Sequence, residues 1–135
     1  MTQADAQEIR KLTGTKIVSV KGDFPTFVFD NDATLRVECP WRLVLNEEYI
    51  LVGEVDFQGE FTREEGMKIL SHNILAKRVL HVEFGKGVPD LRVLVEGGLS
   101  LDIFVHSALY ESWHLHIGQK HFSVIPGGEL SVFTY

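Results

Sequence analysis

The sequence predicts an α+β fold that is predominantly antiparallel β, with two similar hairpin-based sheet units joined by one helix. Three observations predict it. A hairpin pattern occurs twice, at Thr26–Arg36 and Arg92–Asp102, displaced by 66 positions. One stretch, Thr62–Leu75, carries a convincing helical period. From Lys77 onward, apolar alternation broken by glycine turns reads almost entirely as strand.

Residues 1–13 are polar, with a weak helical pattern at Ala6, Ile9 and Leu12 that Gly14 ends, so a short or frayed helix is expected there. Ile17, Val18 and Val20 make a first strand that runs into the turn Lys21-Gly22-Asp23. In the first hairpin, pairing around Asp30-Asn31-Asp32 sets Phe29 opposite Ala33, Phe27 opposite Leu35 and Pro25 opposite Val37 on one apolar face. A slip of one residue would scramble that face, which selects a three-residue loop. After Cys39-Pro40-Trp41, Leu43–Leu45 and Tyr49–Val55 read as extended, with Gly53 marking a bulge.

The helix is placed by Thr62-Arg63-Glu64-Glu65, which has the spacing of a capping box with Thr62 as the cap. Met67, Leu70 and Ile74 then share one stripe, and Glu64 and Glu65 suit the N-terminal end of the helix dipole. Strands follow at Val79–Phe84, Leu91–Val95, Leu99–Val105, Ser112–Ile117, His121–Ile125 and Leu130–Thr134. In the second hairpin, a loop at Glu96-Gly97-Gly98 pairs Val95 with Leu99, Val93 with Leu101 and Leu91 with Ile103, while Arg92 faces Asp102 on the other side as a cross-strand ion pair. No linker divides residues 1–135, so one domain is expected, with a pseudo-repeat relating 15–60 to 77–135.

Composition narrows the functional classes. The 44% hydrophobic share and nine phenylalanines exclude intrinsic disorder. No apolar run approaches the ~20 residues needed to span a bilayer, and Met1-Thr2-Gln3-Ala4-Asp5 lacks the layout of an export signal, so no membrane partner and a cytoplasmic location are expected. Cys39 is the single cysteine, which precludes an internal disulfide and a thiolate metal cage; it reads as a small buried hydrophobe rather than a nucleophile. The net charge of −6 is concentrated in residues 44–66, where Glu47, Glu48, Glu54, Asp56, Glu60, Glu64 and Glu65 meet the lone base Arg63. Nucleic acid is disfavoured as a partner because no basic stripe exists to meet a phosphate backbone. That acidic segment is either a solvated face or a surface that steers a cationic protein.

Chemistry-bearing constellations are few. Neither a nucleophile elbow, a zincin helix nor a phosphate loop occurs, so no catalytic residue and no cofactor is expected. Four of the six histidines lie between His106 and His121. His114 and His116 point to one face of a strand, and a two-residue loop at Gly118-Gln119 would set His116 across from His121 and His114 across from Ser123. Three imidazoles on one face are consistent with a polar sheet surface, a pH-sensitive patch, or a zinc site of three ligands with an open fourth position, with His106 as a further candidate. Trp113 beside Leu115, and Trp41, are read as core or as binding anchors.

Three segments carry a resemblance: Glu38-Cys39-Pro40-Trp41, Tyr110-Glu111-Ser112-Trp113 and Pro126-Gly127-Gly128-Glu129-Leu130. Over about residues 15–134 the chain resembles a family of small bacterial proteins of unassigned function, with cysteine where that pattern has serine. The resemblance implies no catalytic residues. Small acidic bacterial proteins of this style include immunity and accessory proteins that act beside toxins. Three functional readings follow: a non-enzymatic binding or accessory protein using Glu47, Glu48, Glu54 and Asp56; a metal-binding enzyme or sensor using His114, His116 and His121; and a self-associating structural subunit, a homodimer in its simplest form.

Overall fold

A computed structural model describes residues 1–135, the side chains at positions 60 and 61 excepted. The chain opens with α1 (Gln3–Ile9) and a 3₁₀ turn (Arg10–Leu12). Strands β1 (Ile17–Lys21), β2 (Thr26–Phe29), β3 (Thr34–Val37), β4 (Trp41–Leu45) and β5 (Tyr49–Gly53) follow. A second 3₁₀ turn (Glu54–Phe57) leads into α2 (Glu60–Ile74). The second half supplies β6 (Val79–Phe84), β7 (Leu91–Val95), β8 (Leu99–Ile103), β9 (Trp113–Ile117), β10 (Lys120–Ile125) and β11 (Glu129–Thr134). Among the described residues, no helix is long and apolar enough to cross a membrane.

The α+β class with mostly antiparallel strands holds, and the strands form two sheets, ordered β1-β2-β3-β9-β10-β11 and β5-β4-β8-β7-β6. Each sheet draws strands from both halves of the chain. The hairpin registers are those the alternation selects: Phe27 faces Leu35, and Val93 faces Leu101. Both pairs, with Leu43, Leu115, Val82 and Phe122, lie in a continuous interior between the sheets.

The two halves follow one plan down to their irregularities. β1 and β6 each break register at the same point, between Ile17 and Ser19 against β2 and between Val79 and His81 against β7. Lys16 bridges Arg78, its own counterpart, which joins the sheets along a pseudo-two-fold axis. Around that axis the hydrogen bonds come in matched pairs. Gly14 N–H donates to the Val79 carbonyl at 2.8 Å and Ala76 N–H to the Ile17 carbonyl at 2.8 Å. Asp30 N–H donates to Lys16 and Glu96 N–H to Arg78, at 2.9 and 3.0 Å. Gly14 and Ala76 both hold positive φ, 87° and 65°, a conformation that glycine adopts cheaply and alanine does not. The halves also exchange hairpins. β3 pairs with β9, Val37 facing Trp113, and β8 pairs with β4, Ile103 facing Trp41.

Two local expectations need correction. The helix begins at Glu60 with Gly59 as its cap, and Thr62 sits in the first turn, where its Oγ1 accepts from the Gly59 N–H at 3.1 Å. A threonine hydroxyl can serve the frayed N–H groups from either position, so the Thr62–Glu65 spacing alone misplaces the start. Gly53 pairs regularly with Arg42, and the irregularity falls one step away, where Leu43 faces Val52 and Val44 faces Ile50, leaving Leu51 as the extra residue. The N-terminal helix is the short one of the two forms expected: Thr2 and Asp5 cap it in a reciprocal box, and it buries Ile9 completely. Met67, Leu70 and Ile74 do face inward from α2.

Candidate functional site

The outer face of the β3–β9–β10 region carries the histidines. His116 faces His121 and His114 faces Ser123, so the Gly118-Gln119 loop sets the register anticipated for it. The ring centroids of His114 and His116 lie 6.1 and 5.8 Å from that of His121. Each ring has its own neighbour. His114 Nδ1 shares a hydrogen bond with Ser123 Oγ at 2.9 Å, and its Nε2 approaches Glu111 at 3.4 Å and Glu38 at 3.7 Å. His116 stacks on Tyr135 at 5.0 Å. Glu38 is held by Arg36 Nε at 2.9 Å, and Arg36, Glu38, Glu111 and the three histidines line a shallow depression of about 440 Å³. His106 stays exposed in the loop between β8 and β9.

Zinc needs nitrogen donors about 2.0–2.1 Å from one point. Among the described residues no group of three or more His, Cys, Asp or Glu side chains is placed to hold a metal ion. The three rings share a face without converging. His121 resists protonation: burial, then the neighbouring His114 and His116, hold it below its ordinary 6.5, with Glu111 opposing. His121 Nδ1 is buried without a partner.

The sign of the pH effect follows. Below about 6.5 the unfolded chain takes up a proton at His121 that the folded chain still refuses, so stability falls as pH drops through that window. Urea unfolding midpoints at about pH 7.5 and pH 5 should therefore separate less in His121→Gln than in the parent. An unchanged separation would show that this ring does not contribute to acid sensitivity.

Cys39 is buried beside a cleft of about 290 Å³ that Glu38, Glu54 and Arg63 also line. Burial, with Asp90, Glu54 and Glu38 adding to it, pushes its thiol up to about 12. It is a packed thiol and a poor nucleophile.

The four candidate acids are split by β5. Glu47 and Glu48 sit in the tight β4–β5 turn, where Asn46 and Glu47 hold positive φ. Glu54 and Asp56 lie in the 3₁₀ turn at the far end, about 17 Å away by the rise of a five-residue strand. Asp56 accepts from the Gly53 N–H at 2.8 Å, and Glu54 from Gln58 Nε2 at 3.2 Å. Between these acidic ends Tyr49 and Ile50 are 65% and 56% exposed, and Val55, within the 3₁₀ turn itself, is 70% exposed, which composition does not announce. The signal for it was Glu47-Glu48-Tyr49-Ile50, large apolar residues directly after a charged turn. β5 is also a sheet edge, hydrogen-bonded to β4 alone among the strands.

One further polar group was only half visible. Arg92 pairs with Asp102 across β7 and β8 at 3.1 Å, and Arg42 reaches the same carboxylate from β4 at 3.2 Å. Asp102 is buried, and Ser100 Oγ donates to it at 2.5 Å. Both tryptophans are interior: Trp41 meets Phe57 edge-on at 5.2 Å, and Trp113 is fully buried.

Comparison with known proteins gives no family model, no curated protein and no solved structure that matches this chain.

Proposed function

We propose that this chain is a non-enzymatic binding or accessory protein that captures a cationic protein partner through β5 and its two acidic ends. The observation that supports this reading is the exposure of Tyr49 and Ile50 between Glu47–Glu48 and Glu54–Asp56, with Val55 exposed within the second acidic turn. Large apolar side chains left exposed beside charge of one sign favour a contact surface, and the carboxylates steer a basic partner toward it. The groups most suited to chemistry have packing or structural partners instead: Cys39 is held as a thiol, and His114 is engaged by Ser123 and flanked by two carboxylates. An immunity-type role beside a toxin in the cytoplasm, by analogy of style with some small acidic bacterial proteins, is one form such binding would take.

Charge reversal tests this. Glu47→Lys, Glu48→Lys and Glu54→Lys together bring the formal charge from −6 to zero while sparing Asp56, which caps Gly53. A control with Asp23→Lys, Glu83→Lys and Glu129→Lys reaches the same net charge elsewhere on the surface. Basic proteins retained from a lysate by the parent, once purified and titrated, should bind the first variant at least about tenfold more weakly and the control nearly unchanged. Equal losses in both would reduce the effect to net charge and end the reading.

A further inference from the structure

The pseudo-symmetry assigns the kind of segment that β5 accepts. The β4–β5 hairpin of one half corresponds to the β9–β10 hairpin of the other. Arg42 facing Gly53 matches His114 facing Ser123, and Leu43 facing Val52 matches Leu115 facing Phe122. β10 carries a further antiparallel strand on its other edge, β11, paired over six residues from Lys120–Thr134 to Ile125–Glu129. β5 has no such neighbour among the described strands. One edge of this architecture therefore carries a further strand, and its counterpart carries none, with α2 packed beside β5 at Leu51.

We infer that β5 binds an extended segment of a basic partner protein by strand addition, at the position that β11 occupies against β10. This deepens the acidic-surface reading above and rests on it. Main-chain hydrogen bonds would supply affinity, and alternate side chains would supply choice of sequence. Besides Tyr49 and Ile50, a cleft of about 270 Å³ lies between Leu51 and α2, and its lining by Asp56, Thr62, Glu65, Gly66 and Ile69 suits a side chain of the incoming strand with an apolar stem and a basic end. The Asp56 cap on the Gly53 N–H marks where pairing stops.

Charge decides between a partner and a second copy. In an antiparallel β5–β5 dimer, Glu47 and Glu48 of each chain would lie alongside Glu54 and Asp56 of the other, setting carboxylates against carboxylates. A foreign strand with basic residues at both ends, spaced by about 20 Å for the six steps from Glu48 to Glu54, meets opposite charge at each end.

The test uses the full chain and three synthetic nine-residue peptides. The first alternates valine and threonine between paired lysines, the second has proline at its centre, and the third has glutamates in place of the lysines. Calorimetry should give micromolar binding of the first, at least tenfold weaker binding of the other two, and at least tenfold loss with Ile50→Lys, an exposed position where a charge blunts the edge. Amide exchange along Tyr49–Val52 should slow on binding. If the proline peptide binds as well as the first, strand addition is overturned while the acidic surface stands. If the glutamate peptide binds as well, the edge pairs but the cationic reading fails. No heat from any peptide, or a β5-dependent homodimer by light scattering, overturns the inference.

Discussion

Truncating Trp113 to alanine should destabilise the protein by about 3–5 kcal/mol, near the upper end for a single core substitution. The indole is fully buried in β9, it faces Val37 across the junction between the two halves, and its Nε1–H donates to the Pro89 carbonyl at 2.8 Å. Removing it empties the interior at the seam and leaves that carbonyl without its partner. Trp113→Phe separates the two effects: it retains most of the ring and loses the hydrogen bond, for about 1–3 kcal/mol. Trp41→Ala, at the corresponding place in the other half, should cost less, because Trp41 lines the cleft of about 290 Å³ that water can enter. Denaturant melts of the three variants would measure this order. A Trp113→Ala protein within about 1 kcal/mol of the parent would refute the central placement of that ring.

Both tipped hairpins were legible because a period of two has only one register that collects Phe27, Leu35, Val93 and Leu101 on a single face. The partnership between hairpins was not. β8 against β4 and β3 against β9 join residues 54 to 62 and 76 to 82 positions apart, and every inward face is apolar, so hydrophobic pattern cannot say which hairpin completes which sheet. Shape decides instead. The bulges in β1 and β6 and the Lys16–Arg78 bridge turn the chain where the sheets meet, and each half then has to complete the other's sheet. Ile9 and Leu12 are fully interior for the same tertiary reason, although their helix is short and locally weak.

The histidine face was readable as far as its own hairpin reached. His116 opposite His121 follows from a two-residue loop, but Tyr135 stacking on His116, and Glu38 beside His114, come from β11 and from the β3–β9 pairing, which no local spacing encodes. The acidic segment shows the complementary failure. The acids from Glu47 to Asp56 look like one run in sequence, yet a strand carries the two ends apart and leaves Tyr49 and Ile50 exposed between them.

Replacing both Arg42 and Arg92 by alanine should cost about 3 kcal/mol or more, and Asp102→Ala should cost only about 1–2 kcal/mol. The asymmetry comes from where each charge stands. The Asp102 side chain is 5% exposed, whereas those of Arg42 and Arg92 are 44% and 41% exposed. Freed of the acid, the guanidiniums still reach water, and Arg42 still lies over the Phe104 ring at 5.2 Å. Freed of the arginines, the carboxylate stays in the sheet with Ser100 as its remaining side-chain donor. Adding Asp102→Ala to the double arginine variant should therefore restore stability, a rescue that a purely additive surface network would not show. Denaturation of the single, double and triple variants closes the cycle. A triple variant less stable than the double would mean that water already solvates Asp102 and that the buried carboxylate is not what orders these three strands.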